Sequence, residues 1–213
     1  MDKDEKTVNY FSYVTRDDEK MMAAIFGREN ISHEEATLQG YELCIQTAKD
    51  ITDEILPTCP LPFSPRSILT RKRGEYFELY TIRPNLNENL PGTIWRVTPE
   101  EYQYLRNYEL IDCGMSEDIV AKARTESGEL VTVQTYGLNK NINDITRVVA
   151  TDYMREEIPS EEKIKNAIRV REEYIKNILF PYPNRIFNFF FTRYFLPHVI
   201  SGYNPCDIIY VFV

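Results

Sequence analysis

Apolar and polar residues recur at strand spacing along much of this chain and shift to a helical spacing near residue 160. Val8 to Val14, rich in β-branched and aromatic types, predicts an opening strand. Thr15-Arg16-Asp17-Asp18 reads as a turn into a helix, with Asp17 or Asp18 placed to cap its free amides. Met21, Met22, Ile25 and Phe26 make one apolar helix face, and Gly27 is a natural stop. Ala36 to Ala48 predicts a strand bent at Gly40. Four prolines between Leu56 and Pro65 predict an irregular segment. Tyr76 to Ile82 and Gly92 to Val97 predict strands, and the Asn-rich stretch from Pro84 to Pro91 predicts a loop between them.

Thr98-Pro99-Glu100-Glu101 sets a hydroxyl before a helical-start proline, with Glu101 completing a capping box. The helix that follows carries Tyr102, Leu105 and Tyr108 or Glu109 along one side. Ser116 to Arg124 and Leu130 to Tyr136 flank Glu126-Ser127-Gly128-Glu129 and predict a hairpin. Ser160-Glu161-Glu162 opens a last helix, striped by Ile164, Ile168, Ile175 and Ile178 or Leu179, that ends at Pro181 and Pro183. Beyond it lies a strongly aromatic tail with Phe187, Phe189, Phe190, Phe191, Tyr194 and Phe195. The tail closes on a strand signal from Ile208 to Val213.

Length allows one domain with an appendage, or two very small ones, since the chain has 213 residues. The net charge of −8 repels a phosphate backbone, so a nucleic-acid partner is not expected. The basic cluster of Arg66, Arg71, Lys72 and Arg73 is expected in a loop, as solvated charge or as a minor anion site. Cys44, Cys59, Cys113 and Cys206 show no knuckle or paired-redox spacing, and His33 and His198 belong to no ligand motif. No metal or other cofactor is therefore expected, and free thiols in a reducing compartment are. The charged N-terminus lacks an apolar signal core, and no run reaches the ~20 apolar residues of a membrane helix. Ile186 to Ile200 is shorter and carries Asn188, Arg193 and His198. These readings together predict a cytoplasmic protein without a membrane partner.

Two segments carry a resemblance. Tyr10-Phe11-Ser12-Tyr13-Val14-Thr15-Arg16 is similar to the Tyr-Gly-Ser/Thr loop after the first strand of gamma-glutamyl cyclotransferases. Gly92 to Glu109 resembles the same family's run of glycine, strand, threonine and helix that ends on its catalytic glutamate. The likeness spans about residues 8 to 140. It implies an α+β fold: a small mixed β-barrel with flanking helices over residues 8–150. Residues 151–213 would be a C-terminal extension that packs on the barrel or forms an interface.

The resemblance also implies a reaction and a site. The α-amine of a gamma-glutamyl amine or amide attacks its own γ-carbonyl, which closes 5-oxoproline and expels an amine. Glu109 stands where the family has its acid/base. Tyr13, Val14, Thr15, Arg16 and Tyr136 would bind the substrate, with backbone amides and Arg16 holding its α-carboxylate. The bare reading of Glu109 is an exposed helix-end carboxylate, and that of Tyr13 and Tyr136 is core packing. Val14 stands where the family has Gly, and Arg106 where it has Asp. Both departures suit the alternative function, a non-catalytic binding or regulatory protein that keeps the pocket. The aromatic tail reads as a layer over the barrel or as a homo-oligomer contact.

Overall fold

A computed structural model describes residues 7–13, 18–55, 63–73, 75–109, 111, 114, 116–139, 147–148 and 160–179. Strand β1 spans Val8–Ser12, helix α1 Glu19–Phe26 and strand β2 His33–Thr47. Helix α2 spans Pro65–Arg73, β3 Glu78–Val97 and α3 Pro99–Tyr108. β4 is Ser116–Thr125, β5 Leu130–Leu138, β6 Arg147–Val148 and α4 Glu161–Leu179.

The strands run β3-β1-β5-β4-β2 and close where β2 pairs with β3, so five strands form a ring, with β6 added outside it on β2. Among the described strands only the β1–β5 pair is parallel, which makes the barrel mixed. Side chains alternate between its two faces, as strand geometry requires. Phe11, Leu38, Leu90, Ile94, Ala123 and Val133 belong to one buried cluster drawn from all five strands, the filling of the barrel. Tyr10, Trp95, Val97 and Tyr136 face outward and meet Met22, Ile25, Leu105 and Ala167 of the helices in a second cluster.

Local chemistry shapes the elements as expected in several places. Asp18 caps α1 by accepting from the Met21 amide at 3.0 Å. Thr98 and Glu101 form the reciprocal capping box of α3. Gly40, at φ 76°, lies where the β2–β3 register slips, so the bend is a bulge that a side chain would strain.

Three expectations are corrected. The stretch from Pro84 to Pro91 is not a loop but the middle of β3, paired with β2 through Tyr41↔Pro84 and Thr37↔Pro91. Its pairing with β1 begins only at Thr93, so among the described residues one edge carries no ladder there and proline is tolerated. The basic cluster from Arg66 to Arg73 is helix α2 rather than a loop. Ser64 starts that helix by accepting from the Ser67 amide at 3.2 Å, with Pro65 at the first helical position. Arg66 donates to the Ile51 carbonyl at 2.8 Å. Third, Ile175 on α4 is 44% exposed. The packed face of α4 runs instead through Ile164, Ala167, Ile168 and Tyr174. No described helix is long and apolar enough to cross a membrane. The aromatic tail, its terminal strand and the oligomer contact expected there lie outside the described residues.

Candidate functional site

Tyr13 follows β1 directly and is buried. Its phenol donates to the Tyr136 carbonyl at 2.8 Å, and the two rings lie 5.8 Å apart. Tyr136 also stacks on Tyr10, with centroids 6.4 Å apart and planes within 6°. Tyr10 in turn tilts against Tyr102 of α3 at 6.4 Å. A file of tyrosines thus runs from the end of β1, across β5, to α3. Tyrosine suits this place because its ring packs while its hydroxyl finds a buried partner.

The strand beside Tyr136 carries the next link. In the β4–β5 ladder Tyr136 sits opposite Asp118. Asp118 accepts from the Tyr102 phenol at 2.8 Å and is ion-paired with Arg106. Tyr102 and Arg106 are one helical turn apart on α3, so one strand carboxylate is held by two side chains of one helix. Burial, with a smaller contribution from Tyr10, pushes the Tyr102 phenol up to about 12, opposed by Arg106.

Glu109 is the residue on which α3 ends. Its amide donates to the Leu105 carbonyl at 2.8 Å. The side chain is half-buried, with Oε1 sealed from solvent. Of the expected site residues, Tyr13 and Tyr136 are therefore in direct contact. Glu109 is joined to them through α3, Asp118 and the β4–β5 ladder. Val14, Thr15 and Arg16 lie outside the described residues.

Sequence reading missed Asp118. The signal was half present: Tyr102 and Arg106 at helical spacing present a donor and a cation on one side of α3. Nothing local says which acid they meet. Arg106, which stands where the family has Asp, is engaged by the strand acid Asp118.

A separate cleft of ≈310 Å³ opens where α1 meets the starts of β2 and the end of β3, lined in part by Glu19, Arg28, Ser32, His33 and Trp95. His33 lies over the Trp95 ring at 4.4 Å, with Nδ1 2.9 Å from the Ile31 carbonyl and Nε2 3.4 Å from Glu19. Arg28 is tied to Glu101 and to the Arg96 carbonyl. Among the described residues no group of three or more His, Cys, Asp or Glu stands ready for a metal ion.

Known structures share this shape loosely. The chain is similar in structure to a gamma-glutamyl cyclotransferase. That match has 15% identity and a TM-score of 0.45 and covers 96% of this chain and 98% of the other. An uncharacterised protein from Homo sapiens matches at 15% identity and a TM-score of 0.44, over 97% of this chain and 99% of its own. A yeast gamma-glutamyl cyclotransferase specific to glutathione matches at 9% identity and a TM-score of 0.40, over 96% of this chain and 94% of its own. No family model matches the chain. No curated protein matches it either. The barrel rests on its own strand pairing.

Proposed function

We propose that this protein releases 5-oxoproline from a gamma-glutamyl amine or amide, with Glu109 as the acid/base. The observation that carries the reading is the β4–β5 pair Asp118↔Tyr136, which serves both halves of the site. Tyr136 holds Tyr13, the residue before Val14, Thr15 and Arg16 in the sequence. Asp118 holds α3, which ends on Glu109. A carboxylate with one oxygen out of water suits proton transfer beside a small substrate.

In the reaction, Glu109 takes a proton from the substrate α-ammonium. The freed amine attacks the γ-carbonyl, a ring C–N bond forms, and the γ C–N bond breaks as Glu109 returns the proton to the leaving nitrogen; the extra proton on the ring nitrogen passes to the departing amine, which leaves as an ammonium. Ring closure is intramolecular, so holding the substrate curled supplies much of the acceleration. The amides around Val14, the Thr15 hydroxyl and the Arg16 guanidinium would hold the α-carboxylate, with Tyr13 and Tyr136 lining the pocket. No cofactor enters this scheme. The barrel unit, 8–150, would carry the site, and residues 151–213 would brace it.

The test is 5-oxoproline release by purified protein from a panel of gamma-glutamyl amines, peptides and amides. The expected result is product from at least one, lost by roughly 10²–10⁴-fold in Glu109→Gln with folding intact. Ligand binding without product would favour the second reading, a binding protein in which Val14 has reshaped the cradle.

A further inference from the structure

The carboxylate of Asp118 bridges β4 and α3. It stands on β4 and is gripped by Tyr102 and Arg106, seven and three residues before Glu109. Its cross-strand neighbour, Tyr136, is gripped by Tyr13. One ladder position thus links the Tyr13 contact to α3, beside the packing of Tyr102 and Leu105 on the barrel. Both α3 contacts end on the same side chain, whereas the contact to Tyr13 is made by the Tyr136 backbone. A change at Asp118 can loosen the polar hold on the last turns of α3 and leave the Tyr13 contact in place.

We propose that Asp118 is a positioning residue that sets Glu109 against the substrate through Tyr102 and Arg106. This inference rests on the cyclotransferase reading above. Arg106 completes it: the cation at this position is the counter-charge that fastens α3 to the barrel. The substrate's carboxylate would be held from the β1 side, so loosening α3 misplaces the base without removing the binding groups. Misplacement of a reacting group by about 1 Å costs up to ~10²-fold in rate. The effect falls on kcat and leaves KM nearly unchanged.

The experiment measures kcat and KM for the whole chain, normalised to folded protein, in wild type, Asp118→Ala, Asp118→Asn and the exchange pair Arg106→Asp with Asp118→Arg. Asp118→Ala is expected to lose about 10–100-fold in kcat at near-constant KM. Asp118→Asn keeps an acceptor for Tyr102 and drops the charge, so it loses less and still reports if the alanine variant does not fold. The exchange pair restores the ion pair with its sign reversed and recovers most of the loss. A merely structural role would change stability and leave kcat per folded molecule alone. Unchanged kcat in Asp118→Ala or Asp118→Asn, or a loss confined to KM, overturns the inference while the cyclotransferase reading stands. A wild-type protein that makes no product fails the cyclotransferase reading, and the inference falls with it.

Discussion

The guanidinium of Arg171, on α4, fills the space beside Gly27 that a methyl group there would need. Its Nη1 donates to the Ala24 carbonyl at 2.9 Å and reaches the Ala23 carbonyl at 3.5 Å. A Cβ built on Gly27 would lie 2.4 Å from that same nitrogen. Gly27 ends α1 at φ 73°, and its own amide donates to Ala23 at 2.7 Å. A cation thus bonds the last carbonyls of one helix from the flank of another. The contact pins α4 to α1.

That pair predicts a non-additive cycle. Arg171→Ala removes charge-assisted bonds and should cost about 1.5–3 kcal/mol. Gly27→Ala forces a left-handed backbone on alanine and displaces the guanidinium, with the backbone part alone costing about 1–2 kcal/mol. The double variant has no guanidinium to displace, so its loss should be smaller than the sum of the two. Urea midpoints of the four proteins measure this, and strict additivity would deny the contact.

Glu42 predicts an acid limb. It accepts from Asn85 at 2.9 Å and pairs with Arg83, and both lower its carboxyl below the ordinary range, Asn85 more strongly, against the opposing effect of burial. A depressed carboxylate stabilises the fold above its unfolded pKa, and that contribution is lost as pH falls through the folded one. The stability gap between wild type and Glu42→Gln should therefore be widest near neutrality and narrow below the usual glutamate range. Urea unfolding across that window reads it directly.

Tyr102 predicts the opposite limb. Its phenol is raised from 10.0 to about 12, chiefly by burial. The neutral form is favoured in the fold, so this contribution is complete below 10.0 and fades as pH rises toward about 12. In an alkaline titration followed by phenolate absorbance, Tyr102→Phe should lack one late-titrating group. A difference spectrum showing that group titrating at 10.0 would contradict its burial and its bond to Asp118.

Tyr13 predicts a local loss at the candidate site. Tyr13→Phe keeps the ring against Tyr136 and removes the donor to its carbonyl. The expected cost is about 1–3 kcal/mol, because a buried acceptor is left without that donor. Activity toward gamma-glutamyl compounds should fall with it, since Tyr13 is proposed to line the pocket that binds them. Full stability and activity in the variant would detach Tyr13 from the site.

Gly92 predicts a steric limit on β1. A Cβ there would come within 2.2 Å of the Ser12 carbonyl and 2.6 Å of the Phe11 ring. Gly92→Ala should push β1 from β3 and cost about 1–3 kcal/mol, as overpacking does. An unchanged thermal midpoint would show that the strands have room to move apart.

What residues alone determined was local. Caps at Asp18 and Thr98, the stop at Gly27, the bend at Gly40 and the hairpin around Gly128 are readable because each rests on neighbours a few positions away. The segments around Tyr13 and Glu109 were legible for the same reason, as short runs of side-chain types in order. Tertiary structure decided what depends on distant partners. Pro84 to Pro91 looks like a loop in isolation and becomes strand because β2 lies alongside it. The face of α4 is settled by α1 and the barrel, which take up Ala167 and Tyr174 and leave Ile175 exposed. Asp118 became the anchor of α3 only when the β4–β5 register set it opposite Tyr136. Helical and strand periods record which side of an element is apolar, but not which element will cover it. Barrel closure brings together groups more than a hundred residues apart, as it does Tyr13 and Tyr136.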